Sequence, residues 1–588
     1  MLEPLVRLAE RQGWGADACF ESRNVRWAVT LGQQGSFRGI TPLGTPEDKR
    51  WAGKAFPMSP RTPNNELQAG GKSHFLAEAA TTVLLLPAKN DEPLDQKYQV
   101  KHHFFKELVT EAISFGVTTL KPIAEFLDRP EEMAVARAAL LSQKRAKPTD
   151  TISFDLDRGC ILGLDDWHMF WRKKRGAVQS KARSHEPAFP CLATGCLEAP
   201  VRSHGKINGV RGALMNRASL VANDKDAFQS FGLEQACNAP VSASAESRYR
   251  AALQALIEHS VPLGGSQFIH WTREQSSVDP VTLIRGGEEA AVDFLGGDEK
   301  LLEGGLVAAL GAVRTGGRVS LGSQSNTFYG CAISANGGRL VIRDWWESSV
   351  MEVLGHVSEW IRDLAVVKLD GGIIGLPKFG ALLYSMVRED LKELPPQTPI
   401  HLMRAALRGL PLPRTAVNAA LNRHTIEVRE GSVSAIRMCL IKAYLNRARK
   451  AGDPTMTTAI NQDEANRAYR CGRLLAVFEQ IQRAALHNLN AGIVQRFYGA
   501  ASSTPALFMP RLFKLSHHHL SSLPGGLAGY FKKQIEQITA KDLMGTTFPR
   551  SLTLEEQGRF ALGYYHQRAD RSNKTDGSTQ TDQGGNDQ

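Results

Sequence analysis

The sequence predicts an α+β protein in which a mixed α/β region precedes an all-helical region. Two short segments near the start, residues 25–31 and 152–156, alternate in hydropathy with a period of two, which is typical of a strand with one buried face. Beyond residue 350, apolar side chains recur instead at intervals of three and four, as on an amphipathic helix. No clear strand pattern follows residue 380.

The elements of the second half follow in chain order. Residues 340–342 are apolar and come after the turn signal Asn336-Gly337-Gly338, so we predict a strand there. One face of the next helix is predicted from Val353, Val357, Trp360, Ile361 and Leu364. The apolar stripe of a later helix consists of Leu474, Phe478, Ile481, Ala485 and Leu489. We predict a polar face on that helix from the side chains outside the stripe: Arg473, Gln480, Arg483 and His487.

A chain of 588 residues is too long for a single hydrophobic core. Glycine pairs and a proline-rich stretch near residues 395–413 suggest where its parts separate. We expect an α/β subdomain at 1–150, a second mixed α/β subdomain at 151–375, a basic helical connector at 376–455, a helical bundle at 456–570 and a disordered tail at 571–588. The tail is predicted to be disordered because it has no apolar residue from Ser572 onward.

Composition indicates a soluble cytoplasmic protein without a membrane partner. Hydrophobic residues make up 42% of the chain and charged residues 22%, and no apolar run reaches the length of a transmembrane helix. The first residues lack the basic and then apolar form of a signal peptide. The eight cysteines are scattered without a disulfide framework, which favours free thiols in a reducing compartment.

Positive charge suggests an anionic partner. The net charge is +11, and residues 401–450 contain ten Lys or Arg against two acids, a local net of +8. Such a segment fits a phosphate backbone, although a solvated helix face is the alternative. The cluster Arg172-Lys173-Lys174-Arg175, with Lys181 and Arg183, is predicted to be a flexible basic loop that follows DNA electrostatically.

The motifs of nucleotide hydrolysis and of metal catalysis are incomplete. Gly70-Gly71-Lys72-Ser73 resembles the end of a P-loop, but Glu66 stands where the motif needs its first glycine. His517, His518 and His519 are adjacent, and neighbouring helix positions point about 100° apart, so we favour packing and a polar face over a shared metal ion. Cys191 and Cys196, with His185 and His204, are spaced loosely for zinc, and we favour free thiols in a turn.

The segment 204–212 has the composition most typical of nucleic-acid binding. It places Lys206, Asn208 and Arg211 among three glycines, and exposed backbone N–H groups there would suit phosphates. A tight turn between strands is the alternative.

Several stretches resemble one known family. The C-terminal region contains QRFYGAASSTP at 495–505, FKLSHHHL at 513–520 and LEEQGRFALGYYH at 554–566. An earlier block contains CLATG at 191–195, HGKINGVRGA at 204–213, ASLV at 218–221, AFQSFG at 227–232 and NAPVS at 238–242. In this order they resemble the large subunit of the type I-C CRISPR surveillance complex (Cascade).

The resemblance implies a non-catalytic subunit without a cofactor. Guide RNA would read the target, while this chain would recognise the short flanking motif (the PAM), lie beside the displaced non-target strand and help to recruit a helicase-nuclease. The expected partners are the guide RNA (crRNA), target double-stranded DNA, backbone subunits, a crRNA-processing subunit and a small subunit. In this family an internal start can yield the small subunit, and Met456 is the best candidate, giving 133 residues.

Candidate contacts fall into three groups. Near the PAM duplex we place Arg61, Asn64, Asn65 and Lys72. Beside the displaced strand we place Arg473, Arg483 and His487. The third group, for which RNA and DNA both remain open, is Lys206, Asn208 and Arg211. Two other functions are considered: a metal-dependent nuclease at His517–His519 or at Cys191 and Cys196, and a general scaffold for single-stranded RNA.

Overall fold

The computed structural model describes the chain apart from residues 16, 49–50, 64–65, 68–69, 89–92, 184–187, 224, 277, 288, 290–325, 450–452, 487–491, 541–546 and 577–588. The side chains of 178–183 and 571–576 are also left undescribed. The chain forms two compact units: an N-terminal unit of Met1–Ser260 with Ile333–Arg343, and a C-terminal unit of Val261–Ala332 with Asp344–Gln588. The predicted α+β class is confirmed.

Short strands make up the sheets of the N-terminal unit. They are β1 (Phe20–Val25), β2 (Trp27–Leu31), β3 (Phe37–Pro42), β4 (Lys54–Pro60), β5 (Glu78–Ala79), β6 (Thr151–Leu156), β7 (Gly159–Cys160), β8 (Phe189–Pro190), β9 (Leu197–Glu198), β10 (Ile207–Asn208) and β11 (Arg217–Ala218). The main sheet has the order β3-β2-β6-β5, with β7 beside β6. Strands β2 and β6 are parallel, with Trp27 opposite Ile152, so the predicted boundary at residue 150 falls inside one sheet.

The N-terminal unit also contains helices, most of which contribute buried residues to the core of this sheet. They are α1 (Leu2–Gln12), α2 (Ala80–Val83), α3 (Gln96–Phe115), α4 (Lys121–Leu127), α5 (Pro130–Leu141), α6 (His168–Arg183) and α7 (Ala243–Glu258). Phe105, Phe154 and Trp167 are fully buried in the core. The prediction of a flexible basic loop at 172–175 is wrong, because these residues lie in α6, whose apolar side chains Phe170 and Trp171 are held in the core.

The C-terminal unit begins with strands and continues with helices. The strands are β12 (Val261–Leu263), β13 (Ser266–Thr272), β14 (Thr327–Asn336), β15 (Arg339–Ser349), β16 (Val366–Val367) and β17 (Ile373–Ile374). The end of β14 and the start of β15 lie in the segment Ile333–Arg343, which belongs to the N-terminal unit. The helices are α8 (Pro280–Gly286), α9 (Val350–Leu364), α10 (Phe379–Tyr384), α11 (Thr398–Arg408), α12 (Arg414–Arg429), α13 (Ala435–Ala448), α14 (Arg467–Ala485), α15 (Ile493–Ala501), α16 (Pro505–Leu520), α17 (Gly525–Thr539) and α18 (Leu554–Asp576). The strand predicted at 340–342 lies within β15.

Helix α9 confirms the first predicted stripe. Ser349 caps its start by accepting a hydrogen bond from the Glu352 N–H at 3.1 Å. The predicted apolar residues are buried, with Val353, Val357 and Trp360 fully enclosed. Among the described residues no strand follows Ile374, which agrees with the predicted change to helices.

Helix α14 differs from its predicted amphipathic form. Leu474, Phe478 and Ile481 are fully buried, but Arg473 and Gln480 are also buried, so the predicted polar face is wrong for those two residues. The reason is a close approach to α18: a Cβ on Gly472 would lie 2.0 Å from the carbonyl oxygen of Phe560. Helix α14 ends at Ala485, and Leu489 lies outside the described residues.

Helix α18 contributes to both cores of the C-terminal unit. Phe560 and Tyr564 pack in the core of the bundle, whereas Leu562 and Tyr565 pack in the larger core that includes α9, α11 and α13. The predicted boundary at 455 therefore does not separate two independent cores. The helix extends to Asp576, so the tail predicted to be disordered from 571 begins as helix, and 577–588 lie outside the described residues. None of the described helices has the length and apolar composition needed to span a bilayer.

Candidate nucleic-acid interface

A buried ion-paired network organises the predicted binding loops of the N-terminal unit. Arg61 directly follows β4, and its Nη2 lies 2.6 Å from Oε2 of Glu246 in α7. Arg61 is 9% exposed and Glu246 is fully buried. Burial opposes ionisation of Glu246, but the guanidinium groups of Arg61 and Arg250 outweigh it, and the pKa of Glu246 is lowered. Arg61 therefore holds the scaffold together instead of pointing to solvent.

The network continues onto β1 through Glu21. Its carboxylate accepts from Arg23 at 2.7 Å and lies 3.2 Å from Arg250. Burial opposes this charge too, but Arg23 and Arg250 lower the pKa of Glu21 to about 2. His74 contacts Arg23 at 2.9 Å, and burial together with that guanidinium lowers the pKa of His74 to about 4. Glu21 is thus charged and His74 neutral at pH 7.

The loop containing Gly70 and Gly71 is not a P-loop. Lys72 pairs with Glu66 at 3.1 Å, and Glu66 also binds Arg175 at 2.8 Å. Burial opposes the charge of Glu66, but Arg175 and Lys72 lower its pKa. The residues after Lys72 form no helix, which a P-loop requires. Lys72 remains 41% exposed, while Asn64 and Asn65 lie outside the described residues.

The glycine-rich loop at 204–212 is anchored along α7. The Gly205 N–H donates to Glu246 Oε1 at 2.8 Å, and the Asn208 N–H donates to Gln254 Oε1 at 2.9 Å. His204 is buried against the Tyr249 hydroxyl, and burial lowers the pKa of His204 to about 4. A Cβ on Gly205 would lie 2.8 Å from Cδ of Arg250, so a larger residue here would have to displace the Arg250 side chain.

The opposite edge of this loop is open. Lys206, Asn208 and Arg211 are all exposed, so their side chains can reach a ligand from solvent. The Arg211 carbonyl accepts from the Ala335 N–H at 2.9 Å, so the backbone is fixed while the side chain points outward. The alternative of a turn between strands is also met, because β10 and β11 pair across 207–218.

Two exposed apolar side chains of the N-terminal unit were not expected from the sequence. Met215 is 91% exposed and Phe231 is 98% exposed, and both have positive φ, at 52° and 54°. Non-glycine residues seldom adopt this conformation, and it often marks functional loops. No sequence signal identifies it, because neither residue type favours positive φ.

The basic segment at 401–450 is engaged within the protein. Arg404 pairs with Asp344, Arg437 with Glu427 at 2.5 Å, and Lys442 donates to the carbonyl oxygens of Arg362 and Asp363. Its other described cations also have internal partners: Arg408 on Trp346, Arg414 on Glu555, Arg423 on Glu427, Arg429 on the Gln495 carbonyl, Arg447 on Asp363 and Arg449 on the Asp453 carbonyl.

These internal partners argue against both interpretations of residues 401–450, the phosphate-binding surface and the solvated helix face. The segment is neither a free phosphate-binding surface nor a simply solvated face, because Arg437 and Lys442 are almost completely buried. Lys450 lies outside the described residues. The cluster at 172–175 behaves similarly: Arg172 binds Asp17, Lys173 lies over Phe115, Lys174 binds Glu111 and Arg175 binds Glu66.

The candidate contacts to the displaced strand on α14 differ in how exposed they are. Arg473 is 3% exposed and donates to Gln567 at 3.0 Å and to Gln462 at 2.6 Å, so it fills the bundle interior. Arg483 is 52% exposed and pairs with Glu479 at 2.6 Å. His487 lies outside the described residues. Of the two described candidates, Arg483 is the one placed to meet a ligand from solvent.

Helices α15 to α17 present cations that the candidate set omitted. Arg496, Arg511, Lys514, Lys532 and Lys533 are exposed, and none has an ion pair with an acid among the described residues. His517 and His518 are exposed on α16. Residues 493–539 contain five Lys or Arg and one acid, Glu536, so the sequence already contained this signal.

The metal-site hypotheses gain no support from the described residues. Within them no group of three or more His, Cys, Asp or Glu is arranged to hold an ion. Cys191 and Cys196 are free thiols in a turn, as predicted. His204 faces Tyr249, and His185 lies outside the described residues.

Comparison with protein families gives a match over nearly the whole chain. The family model described as "CRISPR-associated protein (Cas_Csd1)" matches residues 5–572, nearly the whole chain. No curated protein matches the chain.

Proposed function

The chain belongs to the Cas_Csd1 family of CRISPR-associated proteins, and we propose that it is the non-catalytic large subunit of a type I-C RNA-guided DNA surveillance complex. The match over residues 5–572 is the observation on which this proposal rests. The exposed cations on two separate surfaces support it, because a subunit of this kind must hold nucleic acid without cutting it.

The PAM duplex is proposed to meet the loop at 61–73. Lys72 and the amides Asn64 and Asn65 would contact groove edges or phosphates, with the glycines permitting close approach. Arg61 is assigned a positioning role, because its guanidinium is paired with buried Glu246. Glu66 holds Lys72 in place until a phosphate competes for it.

The displaced strand is proposed to lie on α16 and α17, with Arg483 contributing. Lys514, Lys532 and Lys533 supply charge without internal acid partners among the described residues. The glycine-rich loop is proposed as the guide-RNA contact, where Lys206 and Arg211 meet phosphates and Phe231 offers a ring for an unpaired base. Backbone subunits, a crRNA-processing subunit and a recruited helicase-nuclease complete the assembly.

An internal start at Met456 is proposed to supply the small subunit. Apart from Val428, every buried member of the bundle core lies between residues 468 and 564, so the fragment would keep that core. In the full chain the Met456 N–H donates to Asn446 Oδ1 at 2.7 Å, a contact the fragment would lose. Mass spectrometry of complexes from the native gene should show a fragment beginning at Met456, and its absence would count against this origin.

The test of the function is co-expression with the guide RNA and the other subunits. The chain should purify with them, and the complex should bind matched duplex only when a flanking motif is present. A complex assembled without the chain should lose that dependence. DNA cleavage by the chain alone with Mg²⁺, Mn²⁺ or Zn²⁺, lost in His518→Ala, would favour the nuclease. Tight binding of arbitrary single-stranded RNA by the chain alone would favour the general scaffold.

A further inference from the structure

Two cysteines occupy opposing positions across the turn that follows β8. Strands β8 and β9 are antiparallel, with Pro190 opposite Leu197, so Cys191 and Cys196 are the next opposing pair. The Cys191 N–H donates to the Cys196 carbonyl at 2.9 Å, which fixes this register. Opposing residues in such a ladder have Cα atoms about 4.5–5.5 Å apart and side chains on the same side. That spacing falls within the range that a disulfide spans.

The two thiols have different surroundings. Cys191 is 3% exposed, and its Sγ accepts from the Ser242 N–H at 3.4 Å. Burial opposes the thiolate, but hydrogen bonds from Thr194, Ser242 and Ala193 outweigh it and lower the pKa of Cys191. Cys196 is exposed, and its thiol lies 3.9 Å from the Thr194 carbonyl.

Three other cysteines of the chain lack this combination. Burial raises the pKa of Cys19 to about 11 and the pKa of Cys331 and Cys471 to about 12. Such thiols are poor nucleophiles near neutral pH. The turn at 191–196 therefore joins a stabilised thiolate to an accessible partner.

We propose that Cys191 and Cys196 are a redox modification site that forms a reversible disulfide by exchange with a small disulfide such as glutathione disulfide. The exposed Cys196 thiolate attacks glutathione disulfide, forms a mixed disulfide and releases one glutathione thiolate. The Cys191 thiolate then attacks the Cys196 sulfur and releases the second. Two protein thiols lose two electrons in total, and one glutathione disulfide becomes two glutathione molecules.

A disulfide between Cys191 and Cys196 would affect helix α7, which anchors the glycine-rich loop. Ser242, whose N–H now contacts Cys191, caps α7, because its hydroxyl accepts from the Ala245 N–H at 3.3 Å. Helix α7 also contains Glu246, the partner of Arg61 and of the Gly205 N–H. Oxidation would draw the Cys191 sulfur towards Cys196 and weaken the contact with Ser242.

The experiment exposes the purified full chain to increasing ratios of glutathione disulfide to glutathione, followed by alkylation, digestion and mass spectrometry. We expect the peptide containing both cysteines to become lighter by two hydrogen atoms, with alkylation lost in parallel at both. Cys191→Ser should trap glutathione on Cys196, and Cys196→Ser should leave Cys191 alkylatable after denaturation. Cys237→Ser, the matched control, should behave like the parent chain.

Two results would overturn the proposal. One is glutathione accumulating on Cys196 of the unaltered chain while Cys191 stays alkylatable. The other is full alkylation of both residues at a ratio that completely modifies Cys196 in the Cys191→Ser chain. The first result is measured on the unaltered chain and needs no variant. The proposal can therefore be tested even if a variant folds poorly. Amide exchange at Ser242 should be faster in the oxidised chain, and unchanged exchange would contradict the coupling to α7.

Discussion

Two basic regions of the C-terminal unit differ in whether their cations have partners within the protein. Residues 401–450 have the higher charge, yet each of their described cations has a partner within the protein. Residues 493–539 have half as many cations, but Lys514, Lys532 and Lys533 are exposed without acid partners among the described residues. Net charge along a sequence therefore does not locate the surface available to a polyanion.

The cations of the two regions are paired differently because their helices are buried to different extents. Helix α13 is buried on nearly all sides, so Arg437 and Lys442 have to find carboxylates or carbonyl oxygens inside the protein. Helices α16 and α17 contribute only a few buried residues each, and their other faces are free to hold solvated cations. The N-terminal unit repeats the contrast between buried Arg61 and exposed Lys206.

The largest effect is expected from breaking a buried pair. Arg437→Ala removes the partner of Glu427 and the donor to the Ser385 carbonyl, and it should lower the free energy of unfolding by about 3–5 kcal/mol. Lys514→Ala on exposed α16 should change it by less than about 0.5 kcal/mol. Denaturant unfolding measures both changes. Equal losses of unfolding free energy would contradict the difference between the two regions.

A second test concerns the helix contact that buries Arg473. A Cβ on Gly563 would lie 2.1 Å from the Tyr469 carbonyl oxygen, so Gly563→Ala should destabilise the bundle by about 1–3 kcal/mol or more. Gly529→Ala in α17 has nothing within 4 Å and should stabilise it by about 0.5–1 kcal/mol. Melting temperatures should move in opposite directions. A rise for both would mean that α14 and α18 are not in close contact.

The third prediction is that the free energy of unfolding decreases at acidic pH. Burial is the largest cause of the lowered pKa values of His74 and His204, about 4, and of His424 and His566, about 3. An unfolded histidine titrates near pH 6.5, so between pH 6.5 and about 4 the unfolded chain binds more protons. Stability should fall as pH decreases through this window, by up to about 1.4 kcal/mol per pH unit for each group. Unfolding at pH 7 and pH 5 checks this; His566→Gln should flatten the dependence, and equal stability at both pH values would contradict it.

The smallest effect is expected at the proposed PAM loop. Lys72 is partly exposed and already paired with Glu66, so Lys72→Ala should weaken duplex binding by only about 0.5–1 kcal/mol while altering the preferred flanking motif. Lys173→Ala on nearby α6 is the control for general charge. A randomised flanking library measures the preference, and unchanged affinity and preference would remove Lys72 from the site.

Sequence patterns predicted the fold class, β6, β15 and the buried face of α9, because alternation and helical spacing depend on local burial. They did not reveal that Arg473 is buried, since the approach of α14 to α18 depends on Gly472 and Gly563, which are 91 positions apart. Nor did they reveal that Arg61 is buried, since its pairing with Glu246 joins residues 185 positions apart. Met215 and Phe231 have positive φ angles. Neither methionine nor phenylalanine favours such angles, so the sequence did not indicate them.

The salt dependence of target binding by the assembled complex tests whether the displaced strand lies on α16 and α17. Lys532→Ala with Lys533→Ala removes two charges from the proposed strand surface, and Arg414→Ala with Arg429→Ala removes two exposed charges from the segment of higher charge. In the first variant the slope of log affinity against log salt should become shallower by about 1.4, the value for two contacts to a single strand. In the second it should stay unchanged. A slope that changes only in the second variant would contradict the assignment of the strand surface to α16 and α17.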